Sequence, residues 1–92
     1  MSSKKAQVTL EFPDNRLLGA LGGAHERNFA RLEQALEVRI TSRGNLVAVE
    51  GANHERAGAI LRALYARLEA GESITPAQVD AEIRFTETGR AA

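Results

Sequence analysis

Apolar and polar positions alternate over residues 7–12: Val8, Leu10 and Phe12 fall on one side, Thr9 and Glu11 on the other. That is the period of a half-buried strand, and Pro13 ends it. Asp14 then suits the N-cap of a short helix from residue 15 to about 21, with Leu17, Leu18 and Leu21 on its core side. Gly19 weakens this helix and Gly22-Gly23 stops it. A second helix is predicted over residues 24–36. Phe29, Leu32 and Leu36 recur there at i, i+3 and i+7, while His25, Arg27, Asn28 and Arg31 lie off the stripe. Alternation returns over residues 37–41, with Val38 and Ile40 inward. Arg43-Gly44-Asn45 reads as a tight turn, so a hairpin follows. Its second strand, residues 46–50, is LVAVE, apolar on both faces as a central strand would be.

Asn53 is placed as the N-cap of the longest helix, over residues 53–70. Ala57, Ile60, Leu61, Leu64 and Leu68 share one face, and Tyr65 is placed at the helix edge. Gly71 has the position of a C′ residue. The strongest local signal is ITPAQV at residues 74–79. Thr75 and Gln78 form a capping box, Pro76 takes the first helical position, and Ile74 and Val79 have the spacing of a hydrophobic staple. A short final helix to about Phe85 is expected. Residues 1–6 read as a flexible N-terminus and residues 86–92 as a tail or linker.

The 92 residues make one domain, large enough for a compact core but small for a deep substrate cleft besides. Twelve basic residues balance twelve acidic ones, so no strong field draws the chain to nucleic acid or a membrane surface. Without cysteine, disulfides, thiolate chemistry and Cys-based zinc sites are excluded. His25 and His54, the only histidines, lack metal-ligand spacing, and no nucleophile–base pair is recognisable. The only lysines, Lys4 and Lys5, follow no glycine, so the chain holds no P-loop and is expected neither to bind nor to hydrolyse ATP. No segment is apolar enough to span a bilayer and the N-terminus lacks an apolar leader core, which makes a cytoplasmic protein the expectation.

The element order is thus β-α-α-β-β-α plus a short C-terminal helix. The expected fold is α+β, a three-stranded antiparallel sheet with the helices on one face. That order resembles the type I K-homology (KH) fold, whose members grip single-stranded nucleic acid with a glycine loop between their first two helices. More specifically, the chain resembles the N-terminal domain of PhoH-like (phosphate-starvation-inducible) ATPases. The resemblance is carried by Gly22, His25-Glu26, Asn28, Leu32-Glu33, Val38, Ile40, Arg43-Gly44-Asn45 and Gly51, and by ALYARLEAGESITPAQVDAEIR. It covers residues 7–85. It implies a non-catalytic KH-like domain that weakly binds or guides single-stranded RNA for an ATPase core on the same parent chain. ATP and Mg²⁺ would belong to that core and none to this chain. The parent could form a homo-oligomer.

The residues that would meet RNA are Gly22, Gly23, His25, Arg27, Asn28 and Arg31, flanked by Arg39 and Arg43. A turn that opens a helix presents free N–H groups to a phosphate, and the arginines would extend the site. Two alternatives stay open. The glycines could form a bare helix–helix turn, since the expected Gly-x-x-Gly pattern has His25 in its last position. The loop could instead be Gly19-Ala20-Leu21-Gly22, with an apolar tip. No aromatic interleaves with the arginines, so a stacking platform is missing and any binding is weak. The alternative function is a protein-interaction or oligomerisation module with a degenerate loop and no RNA.

Overall fold

A computed structural model describes residues 6–91, with side chains as far as Thr86. The first strand is β1 (Gln7–Glu11). Helix α1 (Asn15–Gly22), a 3₁₀ turn (Ala24–Glu26) and helix α2 (Arg27–Leu36) follow. The hairpin of β2 (Arg39–Arg43) and β3 (Leu46–Glu50) leads into α3 (His54–Glu69) and α4 (Pro76–Ala91). The three strands form one antiparallel sheet in the order β1-β3-β2, so β3 is central, as its apolar sequence predicts. No helix among the described residues is long and apolar enough to cross a membrane.

The register decides which sheet face is covered. Val8 and Ile40 both pair with Val49, and Leu10 and Ser42 both pair with Val47. Their side chains therefore share one face, and α3 packs on it with Gly58 against Val8 and Leu10. The other face carries Thr9, Ala48, Thr41 and Leu46, and Leu46 is 43% exposed. β3 is thus buried on one face only, which corrects the expectation from its sequence. The reason is that α4 stacks on α2 and α3 and, among the described residues, nothing packs on the outer sheet face.

Leu10, Phe12, Leu21, Phe29, Leu32, Leu36, Val38, Val47, Ile60, Leu61 and Leu64 are buried as their periodicity predicts. Val8, Leu17 and Ile40 are only partly buried. Val8 and Ile40 lie on the two edge strands of the sheet. Tyr65 is not an edge residue. Its ring centroid sits 4.6 Å from that of Phe12, and its hydroxyl accepts a 3.1 Å bond from the Asp14 N–H. The C-terminal helix is longer than expected. It adds Val79 and Ile83 to the core and continues past Phe85 to Ala91, so residues 86–91 are helix rather than tail. Residues 1–5 of the expected flexible N-terminus lie outside the described residues.

The helix ends show which local signals hold. Asp14 caps α1, accepting from the N–H groups of Arg16 and Leu17 at 3.0 and 3.3 Å. Gly71 closes α3 in a Schellman arrangement, with Gly71 N–H on the Leu68 carbonyl and Glu72 N–H on the Arg67 carbonyl, both at 3.0 Å. Thr75 and Gln78 satisfy each other's backbone N–H at 3.0 and 3.2 Å. Asn53 does occupy the N-cap of α3, but its side chain turns away and donates to the Leu36 carbonyl at 2.9 Å. The last carbonyls of α2 have no intrahelical donor, and Asn53 supplies one.

Candidate nucleic-acid interface

The turn between α1 and α2 is built from residues in unusual conformations. Gly22 ends α1 with the Phe29 ring 3.2 Å from where a Cβ would stand. Gly23 has φ 77° and ψ −176°, a region essentially confined to glycine. A Cβ there would also lie 2.9 Å from Asn28 Nδ2. His25 and Glu26 follow with φ of 53° and 55°, both left-handed and neither glycine. Among the described residues no side chain caps α2; the Glu26 N–H reaches the Gly23 carbonyl at 3.0 Å instead. The loop is therefore Gly23-Ala24-His25-Glu26. The alternative loop at residues 19–22 is excluded, because those residues are helical and Leu21 is fully buried.

Asn28 is placed quite differently from the expectation that it lies on the surface of α2. It is 4% exposed and donates from Nδ2 to the Leu21 carbonyl at 3.1 Å. One of the carbonyls that α1 leaves unpaired is thereby satisfied from the next helix. Asn28 supports the turn from beneath and does not face solvent.

An open cleft of about 410 Å³ lies between this turn and the β2–β3 hairpin. Leu18 and Phe29 give it apolar surface, Gly19 and Gly22 open its α1 side, and Ser42 and Gly44 form the opposite wall. Among the described residues no atom lies within 4 Å of where a Gly19 Cβ would stand. The sheet edge on this side is partly used: the Ile40 N–H donates to the Glu33 carboxylate at 2.8 Å, so it points away from β3. Antiparallel pairing alternates, so the backbone N–H and C=O of Ser42 point the same way, on the edge that meets the cleft. Ser42, Gly44 and Phe29 were not among the sequence candidates, and Gly19 entered only through the alternative loop. The signal for them was present in the prediction of a hairpin next to the second helix, but nothing local says that its tip faces the glycine turn.

The expected site residues separate into four groups. Gly22, Gly23 and His25 line the cleft, with Asn28 beneath them. Arg27 is exposed at the start of α2, next in sequence to the cleft-lining Glu26. Arg31 is engaged elsewhere: its Nε donates to Asp80 of α4 at 2.9 Å, with 39% of its side chain exposed. Arg39 and Arg43 extend on the outer sheet face, opposite the helices. Arg43 still sits at the rim, because its neighbours Ser42 and Gly44 form the cleft wall. A groove lined by four arginines is therefore not what the fold builds. The strand period sends Arg39 and Arg43 to the face away from Ser42.

The cleft combines an apolar floor, backbone donors and acceptors, and few charges. That chemistry suits a flat, largely neutral ring with hydrogen-bonding edges better than a cluster of phosphates. Among the described residues no set of His, Cys, Asp and Glu side chains is grouped to hold a metal ion. Together the fold and this cleft define a small α+β domain with an open groove between a glycine turn and a β-hairpin. In comparison with known proteins, the chain matches no family model, and neither a curated protein nor a solved structure matches it significantly.

Proposed function

We propose that this chain is a non-catalytic, KH-like domain that binds single-stranded RNA weakly, and that its parent is a cytoplasmic PhoH-like ATPase whose core uses ATP and Mg²⁺. The observation that carries the RNA reading is the cleft between the glycine turn and the β2–β3 hairpin. A base would lie against Leu18 and Phe29, where Gly19 leaves room, and its edge would meet the backbone of Ser42. Arg27 and Arg43 would take the flanking phosphates. The order β-α-α-β-β-α and the central position of β3 support the KH-like part of the reading. The sequence resemblance alone supports the ATPase parent.

With two rim arginines among the described residues, few counterions are released and the salt dependence is shallow. Affinity is expected near that of non-specific binding, about 10⁻⁴ to 10⁻⁶ M. Fluorescence anisotropy with a short single-stranded RNA at low salt tests this. Arg27→Glu is expected to weaken the binding and Arg39→Glu to leave it nearly unchanged. Binding that responds equally to both, or no binding at all, contradicts the cleft. A Walker-type motif encoded after Ala92 would support the parent.

One observation favours the second reading, an interaction module. Phe85 on α4 is 70% exposed, on the helix that the sequence resemblance sets next to the ATPase core. In that case α4 docks on the core of the same parent or on a neighbouring subunit, and the cleft stays empty.

A further inference from the structure

The opposite edge of the sheet carries a second surface, independent of the cleft. Phe12 N–H bonds the Asn45 carbonyl and Gly51 N–H bonds the Ala6 carbonyl, both at 2.8 Å. These bonds bracket β1 and fix its alternation. Leu10 and Val8 exchange backbone bonds with Val47 and Val49, so the backbone groups of Gln7, Thr9 and Glu11 face away from β3. Among the described residues those outward groups have no partner. An unpaired edge of this kind is a template for another strand.

A groove of about 340 Å³ runs beside this edge, between β1 and α3. Gly58 sits over the middle of β1: a Cβ there would be 3.5 Å from Val8 Cγ1 and 3.9 Å from Leu10 Cδ1. Ala59 next to it is exposed, and Glu55 and Arg62 flank the pair about one turn to either side. Glu55 and Arg62 form no ion pair among the described residues.

We propose that this edge and groove bind a second copy of the same chain, β1 against β1 and α3 against α3. The pattern is self-complementary about a two-fold axis through Thr9. Antiparallel pairing sets Thr9 opposite Thr9, Gln7 opposite Glu11, and Val8 opposite Leu10 of the second copy. No like charges meet, and the apolar pair falls on the groove side. The same axis passes the helix layer near Gly58 and Ala59, because Gly58 stands over the centre of β1. Small residues at that crossing allow the two helices to approach closely. Glu55 of each copy then lies opposite Arg62 of the other, since the two residues are spaced equally about the Gly58–Ala59 pair. A register slip of one residue would turn Val8 and Leu10 to the wrong face, so the pattern selects one pairing.

The two three-stranded sheets would merge into one, with β2 at each outer edge. Both clefts stay open, because they lie on the β2 side. One short strand and one helix stripe fall below the ~800 Å² per partner of a stable complex, so the dimer is weak and concentration-dependent.

Analytical ultracentrifugation of the whole chain over a wide concentration range tests the proposal, with ¹⁵N NMR spectra to verify the fold of each variant. A monomer–dimer equilibrium in the micromolar range is expected. Ala59→Arg, at an exposed position, should weaken it at least about tenfold, and so should Glu55→Arg by setting like charges together. Combining Glu55→Arg with Arg62→Glu should restore most of the loss. A monomer at millimolar concentration overturns the proposal and leaves the edge to a strand from a different protein. A dimer unmoved by Ala59→Arg, or not restored by the charge exchange, overturns it equally.

Discussion

The chain joins helices twice, and the two junctions are built on opposite terms. Between α3 and α4 every local rule is obeyed. Gly71 takes φ 92° at the C′ position with nothing among the described residues within 4 Å of its missing side chain, the Schellman bonds close α3, and the Thr75–Gln78 box opens α4. Arg67 ties the junction together, bonding Glu72 and Glu82 at 3.2 Å each; the bond to Glu82 and then that to Glu72 hold its guanidinium more firmly charged. Between α1 and α2 the rules are broken. Two non-glycine residues are left-handed, no side chain among the described residues caps α2, and the turn depends on one buried asparagine. Local conflict of this kind concentrates where a protein uses its surface. The conflicted junction is also the one that borders the cleft.

The same substitution made in both junctions should separate them. Gly23→Ala meets a backbone region closed to alanine and also displaces Asn28, so it should cost about 3 kcal/mol. Gly71→Ala has open space around it and should cost about 1 kcal/mol. Urea denaturation of the two variants measures the difference, and equal losses would erase the contrast. Asn28→Ala comes next. It leaves the buried Leu21 carbonyl without its donor and should cost about 2 kcal/mol, with cleft-side amides shifting in NMR spectra. On the regular side, Thr75→Ala removes one half of the capping box and should cost about 1 kcal/mol, with no change at the cleft.

The smallest effect has the opposite sign. Gly19 is inside α1 and a methyl group there would meet no other group among the described residues, so Gly19→Ala should stabilise the fold by about 0.5–1 kcal/mol. Its methyl group would enter the cleft and should weaken RNA binding several-fold. A variant that gains stability and keeps full binding would place the RNA elsewhere.

The regular junction was legible in the sequence because its partners are close along the chain. Thr75 and Gln78 are three residues apart, and Gly71 follows its helix directly. Strand β3 was read as central because LVAVE is apolar on both faces; it is central, although only Val47 and Val49 face the core. The glycine turn was legible as a turn, but its support was not. Asn28 is polar and off the apolar stripe, so periodicity assigns it to the surface; only the orphan Leu21 carbonyl explains its burial. The Arg31–Asp80 pair joins residues 49 positions apart, and no local signal announces it. The same holds for the hairpin wall of the cleft, which meets α1 only in the folded chain. The far end of α4 escaped because the apolar period stops at Ile83, while Phe85 points to solvent.

In the proposed function, the irregular junction and the hairpin tip together form a site for single-stranded RNA. The most direct test is a ¹H–¹⁵N shift map of the whole chain during titration with a short single-stranded RNA at low salt. Amides of residues 19–27 and 42–45 should move together and saturate with one affinity, while those at the α3–α4 junction, residues 70–79, should stay in place. Shifts confined to α3 and α4, or none at millimolar RNA, would contradict it.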